Sequence, residues 1–471
     1  MTRLVVVVGG GITGLTAAHR FRALPHAPEV VVLEAGMSPG GKVSSREVGG
    51  LRLEAGPDSL LARKPWAVEL ARDLGFTDDD LVAPSSAPTH IWTARAGLVQ
   101  FPTGPFGIAV RPAEFLRWPG MSIGSKLRAA GDLVLPRRHE GTDESLGSLV
   151  RRRIGNGATN ALVAPLLGGL FAGDVDRLSV LATFPELAAW EREHGSLMRG
   201  ARAASARAAH VPAGAADVPA PAKPPMFLRL RGGLSELTDR LATAVGPSLQ
   251  LGAGVRGLTR DGDRFVVDID GGSLRADAVV LTTPAHVSAQ LLRPLLPQAA
   301  GLLDRIPYVS TAVVLLVYPE GSDERVLASA GFVAPRGSLP MNAATIVSKK
   351  WPDPSFGSRA VLRCFVGGVG TQELSGRTDD EVVHAVTDSL TAVLGLPLRP
   401  DAAAVVRWPN AMPQYEVGHL ALVDRIEHEL PPGIFIAGAA YRGAGLPDCV
   451  RQANELAARL ADRLVEAASA E

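Results

Sequence analysis

Residues 4–14 read LVVVVGGGITG, a β-branched apolar run followed by glycines in the spacing G-x-G-x-x-G. Residues 12–23 suit a helix, and residues 30–33 form a second apolar run that ends at Glu34, 20 residues beyond Gly14. A strand, a glycine turn, a helix and a second strand closed by an acidic residue are typical of a βαβ unit that binds a dinucleotide. The sequence therefore predicts an α/β fold built on a Rossmann-type parallel sheet.

Each glycine of this turn has its own physical role. Gly9 permits the tight turn, Gly11 lets the backbone approach a pyrophosphate, and Gly14 allows the helix to pack closely on the strand. The pyrophosphate is expected at the helix N-terminus, where the peptide dipoles present positive charge. We expect Glu34 to accept hydrogen bonds from the ribose hydroxyls of the adenosine.

Later segments favour FAD over NAD as the dinucleotide. Gly40-Gly41-Lys42 and residues 54–59 follow the first unit, and the chain closes with a short apolar strand at 434–437, a glycine-rich turn and a helical period over 448–468. This second strand, turn and helix can place another helix N-terminus against the far end of an extended dinucleotide. In a flavin, that end is the edge of the isoalloxazine that needs positive potential when reduced.

The composition limits the class of protein. The 471 residues include 48 basic and 48 acidic side chains, with 46% hydrophobic residues, so no long-range field favours nucleic acid or an anionic membrane. Cys364 and Cys449 lie far apart without a C-x-x-C motif, which argues against a redox dithiol, a zinc ribbon or a disulfide framework and fits a reducing cytoplasm. No run reaches the roughly 18 apolar residues of a spanning helix, and no histidine spacing predicts a metal site.

The rest of the chain predicts further layers around the first unit. From Val255 onward, alternating residues up to Ile269, a glycine turn and a buried run at 278–281 indicate antiparallel strands, and the apolar runs at 311–318 and 360–366 indicate a second sheet. Residues 118–197 read mostly as helix. The Ala/Pro/Gly-rich stretch 200–225 contains almost no large apolar residue, and we expect a mobile loop there.

Two further stretches match known motifs but lack the neighbouring secondary structure that each motif requires. Residues 252–257 also fit G-x-G-x-x-G, but alternating strand residues follow them where a dinucleotide site needs a helix. Residues 120–124 fit the nucleophile elbow of serine hydrolases, but they follow Pro119 where that motif needs a strand. Neither a second dinucleotide site nor a serine hydrolase is therefore expected.

Five blocks of the sequence resemble the oxygen-dependent protoporphyrinogen/coproporphyrinogen oxidase family, a branch of the flavin amine oxidase superfamily. They are the glycine fingerprint, residues 54–64, LLGGLFAGD at 166–174, Arg407-Trp408 with MPQY at 412–415, and GLPDC at 445–449. The fingerprint is common to flavoproteins, whereas the AGD and LPDC blocks are much more specific. Within the family, the likeness is strongest to the soluble coproporphyrinogen III oxidases of Gram-positive bacteria, and it covers nearly the whole chain.

This resemblance implies a domain organisation. It comprises a p-hydroxybenzoate-hydroxylase-like FAD-binding domain, an α+β substrate domain with an antiparallel sheet, and a helical domain over the pocket. The expected boundaries are 1–60, 226–295 and 405–471 for the FAD-binding domain, 61–110 and 296–404 for the substrate domain, and 111–225 for the helical domain with its flexible loop 200–225.

The resemblance also implies site residues. A lysine that the family places near the substrate matches Lys64, whereas we expect Cys449 to be a buried core residue and Arg151-Arg152-Arg153 to form a solvated helix face. The chemistry is centred on the flavin, so no catalytic side chain and no metal are expected. The FAD contacts of the family map onto Gly9, Gly10, Gly11, Ile12, Thr13, Gly14, Glu34, Ala35, Gly41, Lys42, Gly56, Pro57, Asp58, Ser59, Val255, Trp408, Leu446, Pro447 and Asp448.

The implied activity is the oxidation of coproporphyrinogen III to coproporphyrin III in haem biosynthesis, with one non-covalent FAD and O2, and with release of H2O2. Because a porphyrinogen loses six hydrogens and one FAD accepts two electrons, three oxidative rounds are required. Coproporphyrinogen carries four propionates, and burying carboxylates requires paired cations such as Lys64.

Several alternatives stay open at this point. Protoporphyrinogen IX is an alternative substrate, and flavin amine oxidases and carotenoid desaturase-like enzymes share the same N-terminal fingerprint. A catalytically silent FAD-binding scaffold is an alternative of another class. The expected partners are porphyrinogen and O2, together with a transient contact with the ferrochelatase of the haem pathway and without nucleic acid. The expected location is the cytoplasm, with peripheral membrane contact left open.

Overall fold

A computed structural model of the chain describes residues 3–138, 142–209, 225–370, 376–396 and 399–469. The strands, numbered in chain order, are β1 Leu4–Val8, β2 Glu29–Glu34, β3 Ser45–Val48, β4 Leu51–Glu54, β5 Leu60–Leu61, β6 Leu81–Val82, β7 Thr89–Thr93, β8 Gly97–Gln100, β9 Phe227–Leu230, β10 Leu249–Leu251, β11 Val255–Asp261, β12 Arg264–Ile269, β13 Gly272–Ala276, β14 Ala278–Leu281, β15 Tyr308–Val317, β16 Gly331–Val333, β17 Ala343–Ile346, β18 Val361–Gly367, β19 Ala402–Pro413 and β20 Ile434–Ile436.

The helices follow the same order of numbering. They are α1 Ile12–Arg22, α2 Trp66–Asp73, α3 Pro112–Arg117, α4 Ile123–Ala130, α5 Leu146–Ala158, α6 Gly169–Phe171, α7 Val180–Thr183, α8 Pro185–His194, α9 Leu197–Ala209, α10 Ser235–Val245, α11 Ala285–Leu292, α12 Pro297–Leu303, α13 Val347–Lys350, α14 Asp379–Leu394, α15 His419–Glu429 and α16 Leu446–Ser469. A π-helix, Thr159–Gly168, continues α5 into α6.

A parallel sheet with strand order β10-β2-β1-β14-β20 positions the predicted dinucleotide turn. Residues 5–8 of β1 are all buried, as expected for a strand covered on both faces. β1 pairs in parallel with β2 and with β14, so the antiparallel prediction for 255–281 is confirmed for β11–β13 and wrong for β14. Helices α1, α10 and α16 pack on one face, and the antiparallel strands β11–β13 pack with α11 and α12 on the other. The predicted Rossmann-type α/β sheet is confirmed.

The two apolar runs near 311–318 and 360–366 pair as strands of a second sheet. Its strand order is β19-β15-β18-β17-β16-β7-β8, and β15 lies antiparallel to both β18 and β19. One face of this sheet packs on α14, and the other packs on the β3–β4 hairpin. Because β3–β4 leads directly into residues 55–59, the second sheet is held against a segment that we assigned to the cofactor.

The helical reading of residues 118–197 is confirmed, but the prediction for Arg151-Arg152-Arg153 is wrong in part. Only Arg151 and Arg152 reach solvent, whereas the Arg153 side chain is 1% exposed and its Nε donates to Asp132 Oδ1 at 2.6 Å. The Arg153 guanidinium also donates to the carbonyl oxygens of Asp132, Pro136 and Gly195. Arg153 therefore joins α5 to the segments around it.

The mobile loop predicted at 200–225 is helical in its first part, because α9 extends to Ala209. Residues 199–209 are mostly alanine and arginine, which have high helix propensity, and Ala201 is fully buried. The prediction of a loop in this part was wrong because it depended on the absence of large apolar residues, which a helix of alanine and arginine does not need. Residues 210–224 of the predicted loop lie outside the described residues.

Helix α2 packs into the same hydrophobic cluster as α1, α10 and α16. The residues of α2 belong to the segment 61–110, which we expected to be part of the substrate domain. The division into three domains stays a prediction. Among the described residues, no helix is both long and apolar enough to span a bilayer.

Candidate functional site: a dinucleotide turn facing two sheets

The glycine turn at the carboxyl end of β1 has the conformation that its spacing predicts. Gly9 adopts φ +109°, which L side chains rarely adopt. A Cβ on Gly14 would lie 2.0 Å from Gly9 O, so α1 packs against the strand more closely than any side chain allows. A Cβ on Gly11, in contrast, would meet no atom within 4 Å. The space above Gly11 is therefore open to a ligand, which fits a pyrophosphate at the start of α1.

Glu34 fixes the turn from the end of β2. Its Oε2 accepts from Gly10 N at 2.7 Å, and its Oε1 accepts from Gly36 N at 2.7 Å. Ala253 N donates to Glu34 O at 2.9 Å. This contact places Val255, the first residue of β11, close to Glu34 and Ala35 at the end of β2.

Residues 40–42 lie against the same turn. Gly40 N donates to Gly10 O at 2.8 Å, and a Cβ on Gly41 would lie 3.4 Å from the Gly11 Cα. A Cβ on Gly56 would lie 1.8 Å from Lys42 O, so the loop 56–59 also packs against this segment. Burial lowers the pKa of the half-buried Lys42. The structure thus brings together three of the predicted cofactor segments.

Asp58 in the loop 56–59 is bound to cations of the second sheet. Its Oδ2 lies 3.2 Å from Arg363 Nη1 and 3.2 Å from Lys350 Nζ, and Ser59 Oγ donates to its Oδ1 at 2.9 Å. Burial opposes ionisation of Asp58, but Arg363 and Lys350 outweigh it and hold the pKa of the carboxyl well below its usual range. The Asp58 side chain therefore anchors the loop to β18 and α13.

A second anchor comes from β19. Trp408 Nε1 donates to Ala55 O at 2.9 Å, and Arg363 on β18 donates through Nη2 to Gly56 O. Both contacts join the second sheet to the backbone that enters the loop 56–59. Sequence reading identified Trp408 through the family resemblance but missed Arg363, although a charged residue inside the apolar strand VLRCFVG was a visible signal.

Lys64 and the start of α16 lie together, as a pair that sequence reading did not predict. Lys64 Nζ donates to both carboxylate oxygens of Asp448, at 2.6 and 2.7 Å. Pro447 is buried and Leu446 half-buried beside Asp448. The residue expected to bind substrate thus contacts a residue expected to bind the cofactor.

Cys449 is 4% exposed, and burial raises the pKa of its thiol to about 11. A neutral, buried thiol agrees with the prediction that Cys449 is a residue of the core. Within the described ranges, no group of three or more histidine, cysteine or acidic side chains is arranged to hold a metal ion.

Gln452, which sequence reading also missed, bonds the turn before α16. Its Oε1 accepts from Gly438 N at 3.2 Å, and its Nε2 donates to Gly443 O and Asp448 O at 3.3 and 3.2 Å. The side chain is 5% exposed. A polar residue on the apolar face of a predicted helix was the only sequence signal for it.

Comparison with known proteins agrees with this arrangement. The profile of the family described as flavin containing amine oxidoreductase matches residues 12–461. A coproporphyrinogen III oxidase of Bacillus subtilis is 33% identical over 95% of this chain and 96% of its own length, and one of Propionibacterium freudenreichii is 35% identical over 99% and 91%.

A solved structure of a protein from Exiguobacterium, provisionally named a protoporphyrinogen oxidase, superposes with a TM-score of 0.85 at 31% identity and covers 98% of this chain and 99% of its own. Identity of this level over nearly the full length of both chains establishes family membership. This chain therefore belongs to the flavin-containing amine oxidoreductase family, within its group of porphyrinogen oxidases, and uses a flavin cofactor.

Proposed function

We propose that this protein oxidises coproporphyrinogen III to coproporphyrin III in haem biosynthesis, with one non-covalently bound FAD and with O2 as the electron acceptor. The observation that carries the proposal is the full-length likeness to coproporphyrinogen III oxidases at 33% and 35% identity. The flavin supplies a two-electron acceptor that O2 reoxidises with release of H2O2, so each porphyrin requires three rounds.

The residues present fit an FAD molecule. The open space above Gly11 and the positive end of α1 suit the pyrophosphate, and Glu34 and Val255 lie at the edge where the adenosine would extend. Trp408 and residues 56–59, with residues 446–448, would hold the flavin end. The raised pKa of Cys449 supports a non-covalent cofactor, because a buried neutral thiol is a poor nucleophile.

Lys64 is proposed to bind a substrate propionate. Its side chain is 34% exposed, and an ammonium group has three N–H donors, of which two point to Asp448. The third donor can reach a carboxylate that enters from the solvent side. Lys64 would therefore orient the substrate next to the first turn of α16.

The choice of substrate is tested by comparing the rates of oxidation of the two porphyrinogens under the same conditions. We expect faster formation of porphyrin fluorescence from coproporphyrinogen III than from protoporphyrinogen IX at equal concentration, with three H2O2 released for each porphyrin formed. A faster reaction with protoporphyrinogen would contradict the proposed substrate and favour the second candidate, for which the Exiguobacterium likeness is the specific observation. Absence of O2 uptake with either porphyrinogen would contradict the proposal and leave the flavin amine oxidase, the carotenoid desaturase-like enzyme and the flavin-binding scaffold as alternatives.

The proposed location is the cytoplasm, because both cysteines are unpaired and buried. In this compartment the product would pass to the ferrochelatase of the haem pathway through a transient contact. Co-sedimentation with the ferrochelatase from the same organism, with and without porphyrin, tests this contact.

A further inference from the structure

Tyr415 joins both ends of the loop between β20 and α16. The side chain is 1% exposed. Its hydroxyl donates to Ala439 O at 2.7 Å and accepts from Gly443 N at 3.0 Å. One hydroxyl group therefore holds two backbone groups that lie four residues apart, just before the first turn of α16.

His419 holds the middle of the same loop. Its ring stacks on the Tyr415 ring, with centroids 3.9 Å apart and planes at 12°. His419 Nε2 lies 2.8 Å from Tyr441 O, and because a carbonyl oxygen only accepts, Nε2 must carry the proton. Burial lowers the pKa of His419, which keeps the ring neutral. The stacked pair therefore holds three backbone groups of residues 439–443.

The Tyr415 backbone bonds to the helical part of the molecule. Ser179 N donates to Tyr415 O at 2.8 Å, and Gln414 Nε2 donates to Phe171 O at 2.8 Å. The Phe171 ring also lies 5.9 Å from the Tyr415 ring. Tyr415 thus lies between the LLGGLFAGD block and the loop that precedes α16.

The loop needs such support because of its backbone. Gly438 and Gly443 adopt φ values of +129° and +123°, and glycine loses more conformational freedom on ordering than any other residue. Without side-chain contacts, the loop would sample several conformations. Because the loop leads directly into α16, a change in its conformation is expected to shift the first turn of that helix.

We propose that Tyr415 and His419 are positioning residues that hold residues 439–443, and through them the start of α16, in the one conformation that binds the flavin. The inference rests on the proposed function, which puts the flavin at residues 446–448. Neither side chain needs to contact the cofactor, because both act through the loop backbone.

The test is Tyr415→Phe, which removes both hydroxyl contacts and keeps the ring that stacks on His419. We expect the FAD dissociation constant, measured from flavin fluorescence on dilution of the holoenzyme, to rise about tenfold, and the flavin absorption band to shift. The matched control is Tyr441→Phe in the same loop, because the Tyr441 hydroxyl makes no bond to the loop backbone. It should leave both readouts unchanged.

A second pair of variants covers a failure of Tyr415→Phe to fold. His419→Leu removes the donor to Tyr441 O and should weaken FAD binding, whereas His419→Gln keeps an N–H donor and should restore most of it. Equal FAD affinity and an unchanged spectrum in Tyr415→Phe and His419→Leu would overturn the positioning role while the proposed function stands. A wild-type protein that binds no FAD would instead overturn the proposed function, and the positioning role with it.

Discussion

The ammonium group of Lys64 lies within 2.7 Å of both carboxylate oxygens of Asp448, although 384 residues separate them in the chain. Lys64 follows the loop 56–59, and Asp448 lies in the first turn of α16. The Asp448 side chain is 11% exposed and the Lys64 side chain 34% exposed, so the ion pair is partly shielded from water. The pair therefore joins the proposed substrate side to the proposed cofactor side.

We predict that Lys64→Ala raises the KM for coproporphyrinogen III about tenfold or more while FAD stays bound. The reason is the loss of one charge-assisted hydrogen bond to a propionate. The measurement is KM at constant flavin absorbance per protein. Arg63→Ala is the matched control, because Arg63 is an adjacent, half-exposed cation paired with Glu186, and it should leave KM unchanged.

Asp448→Asn separates the two roles of Lys64. If Lys64 binds substrate, removal of the competing carboxylate frees its ammonium group and leaves KM unchanged or lower. If Lys64 only supports α16, Lys64→Ala should reduce the FAD content; the FAD content of Asp448→Asn does not discriminate, because Asp448 is itself an expected cofactor contact. That second outcome would contradict the proposed role of Lys64 in substrate binding.

The ion pairs of Asp58 predict a pH-dependent stability. Because the folded-state pKa of Asp58 lies below its unfolded value of about 3.9, the ionised carboxylate stabilises the folded state above about pH 4. This contribution is lost as the pH falls from about 4 toward the lower folded pKa. Asp58→Asn should lower the free energy of unfolding by about 3 kcal/mol at pH 7, and by less at pH 3.

Urea denaturation of wild type and Asp58→Asn at both pH values measures this difference. The control is Asp270→Asn, since Asp270 pairs with Arg256 on the surface and should contribute little at either pH. A difference for Asp58→Asn that is equal at pH 7 and pH 3 would contradict the electrostatic account.

Arg153 predicts a second, independent loss of stability. Arg153→Met keeps the apolar length of the side chain but leaves the Asp132 carboxylate, which is 0% exposed, without its cation. We expect the free energy of unfolding to fall by about 3 to 5 kcal/mol. Arg192→Met, on an exposed arginine of α8, is the control and should be close to wild type. A wild-type melting curve for Arg153→Met would show that the buried pair is not needed.

The parts of the site that sequence predicted are local. The turn at Gly9, the helix after it and Glu34 lie within about thirty residues, and each follows from backbone requirements that only certain residue types meet. The second sheet was also predictable, since β15 contains a long apolar run and the apolar run of β18 is interrupted only at Arg363. These patterns do not depend on distant parts of the chain.

The contacts that sequence missed are between distant segments. Arg151 and Arg153 stand two positions apart on one helix, yet only Arg153 meets a buried carboxylate, and helical periodicity cannot identify that partner. The hydrogen bonds that Arg363 donates to Gly56 O and that Gly443 N donates to the Tyr415 hydroxyl likewise depend on how sheets and loops pack. Such pairs follow from tertiary packing, which a single sequence does not encode in a local pattern.

The open space above Gly11 gives the sharpest test of the cofactor site. Gly11 has φ −75° and ψ 177°, which alanine adopts without strain, and its Cβ would meet no protein atom within 4 Å. Gly11→Ala should therefore fold with wild-type thermal stability when both proteins lack flavin. In the holoprotein the added methyl group would occupy space needed by the pyrophosphate, so FAD affinity should fall at least tenfold. Gly301→Ala on α12 is the matched control, because its Cβ also meets nothing within 4 Å but lies far along the chain from the turn. Unchanged FAD affinity in Gly11→Ala would mean that the pyrophosphate does not lie at the start of α1.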